Sequence, residues 1–121
     1  MELSDQVCSL ELAKRLKELG VKQESLFWHT EQLNKNHKSI YNPIIPVELK
    51  DDSHNFYSAF TVAELGEMLP YYNYSIMFSI RFCDIYLGHP TKGSIIFKES
   101  TEANARAKML IYLIENNLWE E

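Results

Sequence analysis

The sequence is short of the residues that would make it a fibre, a linker or a disulfide-stapled miniprotein. Four glycines and four prolines in 121 residues are too few for collagen-like repeats or low-complexity segments. The two cysteines, Cys8 and Cys83, lie far apart and form no Cys-x-x-Cys pair. They read as free buried thiols of a cytoplasmic protein, not as a disulfide or metal ligands. No apolar run approaches the ~20 residues needed to span a bilayer, and residues 1–5 do not begin a secretory signal. Positive charge is scarce as well, with 12 Lys and Arg against 17 Asp and Glu and a net charge of −5. The deficit falls between residues 41 and 80, where Lys50 alone stands against Glu48, Asp51, Asp52, Glu64 and Glu67. Such a surface repels phosphate backbones and anionic headgroups, which disfavours nucleic acid and membranes as partners. Lys14, Arg15, Lys17 and Lys22 form the only basic cluster, and on a helix the first three spread among Glu11 and Glu18 as a solvated face.

What is present is enough for one core. Hydrophobic residues make up 45% of the chain, with seven Tyr, six Phe and two Trp, and residues 1–121 are expected to form a single domain. Ser9 can cap a helix whose apolar face is Leu12, Ala13, Leu16 and Leu19 and which stops at Gly20. Residues 25–30 suit a strand, 31–38 an exposed loop, and Pro43 and Pro46 restrict Ile44 and Ile45 to an edge strand or an extended crossing. Asp51 to His54 form a second loop before the extended segment 56–60. Thr61 and Glu64 then form a capping box for a short central helix ended by Pro70. Residues 74–82 alternate apolar and polar as a strand, followed by a bulge or turn at Cys83 and Asp84, a turn at 88–93 and a returning strand at 94–98. A long helix from Ser100 or Thr101 to about Leu118 closes the chain. The predicted class is α+β: two layers, an antiparallel sheet of three to five strands packed by the N- and C-terminal helices, with a short central helix.

Three segments carry a resemblance: residues 8–28, with Leu-Ala-Lys-Arg-Leu-Lys-Glu-Leu-Gly; residues 56–70, with Thr-Val-Ala-Glu-Leu-Gly-Glu-Met-Leu-Pro; and residues 101–118, with Ala-Asn-Ala-Arg-Ala-Lys-Met-Leu. Together they resemble a group of small uncharacterised proteins met in bacteriophage and prophage genomes. The resemblance implies a bacterial or phage cytoplasmic setting and brings no catalytic residue with it.

The chemistry-bearing residues are scattered. His29, His37, His54 and His89 match no metal-ligand spacing, so neither metal nor cofactor is expected. His29 and Glu31 would share one side of an extended strand, the weak candidate acid/base pair. Cys8, at a helix N-terminus, is the candidate low-pKa thiol, against the plainer reading of an apolar residue packed on the first turn. Trp28, Tyr41, Tyr71 and Tyr72 could form an aromatic binding surface. On the last helix Ala103, Ala107, Leu110, Ile111, Ile114 and Leu118 fill one apolar stripe, and Ala105, Met109, Tyr112, Leu113 and Trp119 fill a second. Either the first helix covers that second stripe, or Met109, Tyr112 and Leu113 meet a second copy of the chain or a phage or host protein. The resemblance, together with the lack of a catalytic set, implies a phage- or prophage-type cytoplasmic accessory protein acting as a non-enzymatic protein-interaction module; the alternative is a small enzyme using His29, Glu31 or Cys8.

Overall fold

A computed structural model describes residues 2–33, 35–36, 39–41, 43–49, 56–69, 72–73, 76–81, 84–89 and 93–119, with backbone alone at 32–33, 39–41, 72–73, 76–81, 84–89 and 93–97. In chain order these residues form α1 (Leu3–Gln6), α2 (Leu10–Glu18), β1 (Phe27–Thr30), β2 (Gln32–Leu33), β3 (Ser39–Tyr41), β4 (Ile44–Pro46), β5 (Phe56–Ser58), α3 (Val62–Met68), β6 (Tyr72–Asn73), β7 (Ile76–Arg81), β8 (Asp84–His89), β9 (Gly93–Lys98) and α4 (Glu102–Glu115). A single 3₁₀ turn occupies Val47–Leu49.

Every strand pair is antiparallel, and the chain is an α+β protein. The strands divide into a three-stranded sheet, β4-β1-β5, a four-stranded sheet, β6-β7-β8-β9, and the short β2-β3 ladder. Each main sheet has the expected number of strands, but there are two of them. The separation is built into the chain at Thr61, where the helix begins immediately after the β5 segment and prevents a hairpin from joining the two strand groups.

The capping box is complete. The Thr61 hydroxyl accepts from the Glu64 N–H at 3.2 Å, and the Thr61 N–H donates to Glu64 Oε1 at 2.9 Å. Glu64 Oε2 also accepts the Leu26 N–H at 3.1 Å, so one carboxylate joins the start of α3 to the approach to β1. Leu69 is extended, with φ −81° and ψ 139°, the geometry wanted before proline; Pro70 itself lies outside the described residues. At the other stop, Gly20 takes φ +90°, and the Gly20 and Val21 amides return to the carbonyls of Lys17 and Leu16. Val21 and Leu16 are both buried, which completes a Schellman motif with its apolar contact. Asn117, at φ 57°, does the same after α4, with the Leu118 N–H on the Leu113 carbonyl at 2.8 Å.

The α4 helix is the centre of the packing. It touches α1, α2 and α3, and also β8 and β9, so an apolar stripe is needed toward more than one neighbour. Ala103, Ala107 and Leu110 of the first stripe are buried, and so are Ala105, Met109 and Leu113 of the second. The chain therefore covers the second stripe itself. Met109 and Leu113, offered as partner-facing residues, are fully buried in its own core, while Tyr112 remains half-buried.

The small sheet follows the proline argument: β4 is an edge strand and β1 is central. The outer side of β5 is closed by side chains, Gln23 Oε1 accepting the Ser58 N–H at 2.9 Å and Lys17 donating to the Phe56 carbonyl at 3.1 Å. Blocking edges in this way prevents strand addition. The exposed loop expected over 31–38 is corrected in part, because Gln32 pairs with Tyr41 and Leu33 with Ser39. That ladder continues the β1-β4 hairpin past Glu31, and the register of the hairpin overrides the polar composition. Residues 34, 37, 38, 51–54, 74, 75, 82, 83 and 90–92, on which the loop, strand-end and turn expectations partly fall, lie outside the described residues. In the larger sheet, the pairings Phe78↔Leu87, Ile80↔Ile85, Ile85↔Phe97 and Leu87↔Ile95 place six apolar positions on one face. Asp84 stands between Arg81 and Lys98 on the other, opposite charges in adjacent positions. Gly88, His89 and Gly93, expected in a turn, belong to the ladder.

Replacing Thr61 by Ala is expected to cost about 1 kcal/mol by removing the cap. Gly20→Ala should cost about 1–2 kcal/mol through backbone strain alone, since a Cβ there meets nothing within 4 Å. Urea unfolding should show lower midpoints with unchanged slopes; an unmoved midpoint for either variant contradicts the corresponding local analysis.

Candidate functional site

As the middle strand of its sheet, β1 is covered on both faces, and Trp28 and His29 are buried, as is Glu31 just beyond it. The His29 Nε2–H donates to the Cys8 carbonyl at 2.6 Å; the acceptor is a carbonyl, so Nε2 carries the proton. The Cys8 N–H in turn donates to the Phe60 carbonyl at 3.0 Å. Val7 bridges to Thr61, and the Ser9 N–H donates to Asn104 Oδ1 at 2.8 Å. Residues 7–9 thus form a strap across the start of α3, the first turn of α4 and β1, while the Ser9 hydroxyl caps α2 by accepting from the Leu12 N–H at 3.3 Å.

His29 and Glu31 reach different groups from the same strand. Glu31 pairs with Lys14 of α2, and Lys14 and Lys17 lie 5.7 and 4.9 Å from the centre of the Tyr57 ring. Burial holds the His29 imidazole below its ordinary pKa, although its bond to the Cys8 carbonyl acts in the other direction. Burial also raises the Cys8 thiol to about 12, outweighing the Phe60 backbone hydrogen bond that favours the thiolate. Of the two readings of Cys8, the structure agrees with the plainer one: the thiol is fully buried, desolvation outweighs the helix N-terminus, and Cys8 is a packed apolar residue.

Three clefts stand out among the described residues, and none of these is lined by His29, Glu31 or Cys8. The largest, of about 660 Å³, opens where Asp5 and Gln6 meet the starts of α3 and α4, with Asp5 and Glu102 in its wall. A second, of about 320 Å³, lies beside Val21, Met68 and Trp119, where the Trp119 Nε1–H donates to the Met68 carbonyl at 2.8 Å. The third, of about 330 Å³, is a groove between α2 and α4 floored by half-buried Leu12, Ile111 and Tyr112. Arg15 spans its wall, reaching Glu18 at 3.2 Å and Glu115 at 3.7 Å, and Lys108 pairs with Glu99 at 3.1 Å.

Of the aromatic surface candidates, Trp28 is buried at 6% exposure and belongs to no surface. Tyr71 lies outside the described residues, and Tyr41 and Tyr72 are described only as backbone positions of β3 and β6. His37 and His54 also lie outside them, and His89 is a backbone position of β8. Among the described residues no group of three or more His, Cys, Asp or Glu could hold a metal ion, and no helix is long and apolar enough to cross a membrane. Leu12 and Ile111, which floor the groove, were legible as apolar helix positions; what the sequence does not carry is that two helices leave a gap between them. Comparison with family models, curated proteins and solved structures finds no match.

A thiol raised from 9 to about 12 has about a thousandfold less thiolate near pH 8 than a free one. Iodoacetamide should therefore leave the Cys8 peptide unmodified in the native protein and alkylate it readily in guanidinium, as read by peptide mass mapping. Fast native labelling of Cys8 would show an accessible thiol.

Proposed function

We propose that the chain is a non-enzymatic accessory module that binds another protein through the groove between α2 and α4. The carrying observation is where the polar chemistry of the described residues lies: His29, Glu31 and Cys8 are all engaged inside the fold, and none lines the three clefts described above. The groove instead presents Leu12, Ile111 and Tyr112 with charged groups at its margin, the apolar floor and polar rim common at protein interfaces. The occupant we assign to it is an apolar segment of a partner protein. A second copy is disfavoured by the −5 charge each chain brings, which also weighs against nucleic acid. The resemblance of residues 8–28, 56–70 and 101–118 to phage and prophage proteins supports a phage or host protein as the partner and a cytoplasmic setting. The enzyme alternative draws less support from the described residues, where its candidates His29, Glu31 and Cys8 are all buried.

A displayed random-peptide library panned on the wild type, with counter-selection on Ile111→Glu, is the direct test. The expected outcome is peptides that bind with about micromolar Kd and lose at least about tenfold on Ile111→Glu and on Tyr112→Ala, both variants retaining the wild-type thermal melt. Peptides indifferent to both substitutions, or none enriched, would overturn the groove as a binding surface; a concentration-dependent dimer in sedimentation that Tyr112→Ala dissolves would replace the partner with a second copy.

A further inference from the structure

The large apolar residues most open to solvent among the described ones lie together. Leu26, Val47 and Leu49 are 59%, 41% and 68% exposed; scattered singly they would call for no explanation, but side by side they mark a surface that something covers. The Val47 N–H donates to the Leu26 carbonyl at 2.8 Å, which carries the β1-β4 pairing one step past Phe27↔Pro46, and Leu49 follows two residues later in the 3₁₀ turn. This ridge leads toward a cleft. Glu64 Oε2 accepts the Leu26 N–H at 3.1 Å, and one turn further along α3 Met68 lines the cleft of about 320 Å³ together with Val21 and Trp119. We propose that ridge and cleft form a second docking surface, separate from the groove between α2 and α4, for a segment of a partner protein that carries Lys or Arg beside large apolar side chains.

The charge at the margin selects that occupant. Of the described residues tied to this surface by sequence or by a hydrogen bond, Glu24, Glu48 and Glu64 are carboxylates and Lys22 is the cation, already paired with Glu24 at 3.2 Å. Glu48 stands between Val47 and Leu49 on the exposed turn. Glu64 accepts two backbone N–H groups, which are neutral and leave its charge in place. The stretch 41–80, to which Glu48 and Glu64 belong, is also where the chain's negative charge is concentrated. Burying the apolar part drives association, and carboxylates at a solvated margin steer a cationic segment toward it. A second copy would set one acidic margin against another, and anionic lipid headgroups are repelled in the same way. On the edge strand β4, Pro46 has no N–H to offer an added strand, so recognition falls to side chains.

A displayed random-peptide library panned on the wild type, with counter-selection on Leu26→Ser plus Leu49→Ser, tests the surface apart from the groove. The enriched peptides are expected to combine net positive charge with large apolar residues. They should lose at least about tenfold in affinity on Leu49→Ser and on Glu48→Lys, two exposed positions where the thermal melt should stay that of the wild type, and bind Ile111→Glu unchanged. Enriched peptides that are neutral or acidic, peptides indifferent to Leu49→Ser and Glu48→Lys, or no enrichment would each overturn the proposal. Cosedimentation with phosphatidylserine vesicles that Leu49→Ser abolishes, or a dimer that Leu49→Ser dissolves, would overturn it as well, by putting a membrane or a second copy in the partner's place.

Discussion

Three consecutive residues, Val7, Cys8 and Ser9, make the connections on which the helical layer depends. Each of the three longer helices starts at a hydroxyl cap: Ser9 for α2, Thr61 for α3 and Thr101 for α4. Those caps are not independent. Val7 bridges to Thr61, and the Ser9 N–H is bound by the side chain of Asn104, whose own N–H is held by the Thr101 hydroxyl at 3.2 Å. One strap therefore satisfies amides and carbonyls at several helix starts that would otherwise be lost to burial. His29 adds the sheet to the same network through the Cys8 carbonyl, so the helices and β1 are oriented relative to one another by hydrogen bonds as well as by packing.

Packing supplies the bulk of the stabilisation, and it centres on α4. A helix that touches both a sheet and other helices has no polar side to spare, which is why its apolar residues run almost around the barrel while α2, on the outside, keeps one apolar and one charged face. Gly66 belongs to this arrangement. A Cβ there would run into the guanidinium of Arg106, which lies across α3 while holding Glu102 at 2.8 Å. The glycine in mid-helix gives up propensity, and in exchange an arginine can lie flat between the two helices with its stem desolvated.

Much of the fold was legible because its signals are local. The capping box, the glycine stop of α2, the edge position dictated by Pro46 and the Thr101 start of α4 each depend on a few neighbouring residues, and all appear as the residue types require. The misses turn on pairings that local composition does not announce. Gln32 and Leu33 extend a ladder because β4 and β3 lie alongside, although the local composition is that of a loop. The single turn of α1 has no cap to announce it. The two stripes of α4 were legible, but which neighbour covers each of them depends on where the two sheets fall. At the candidate site His29 and Glu31 were legible as neighbours on one extended segment, yet their engagements with the Cys8 carbonyl and Lys14 arise only when the strap and α2 pack against the small sheet.

The same tertiary contact decides what those residues can do. A general base needs a lone pair open to substrate and a nucleophilic thiol needs to ionise near neutral pH; packing the strap and α2 against the small sheet buries the His29 ring and moves the Cys8 thiol to about 12. The physical features that suit a catalytic constellation, polar groups gathered in a low dielectric, here serve to join layers. Recognition is then left to the surface and, at the groove, to the outer side of the helical layer. There α2 and α4 cross without closing, and Arg15 reaches from one helix to Glu115 on the other, over apolar side chains that neither helix fully covers. A partner entering that gap would desolvate Leu12, Ile111 and Tyr112 together while leaving the ion pairs at the solvent margin, where breaking or keeping them costs little. Burial of apolar area can thus drive association there without the penalty of stranding a charge.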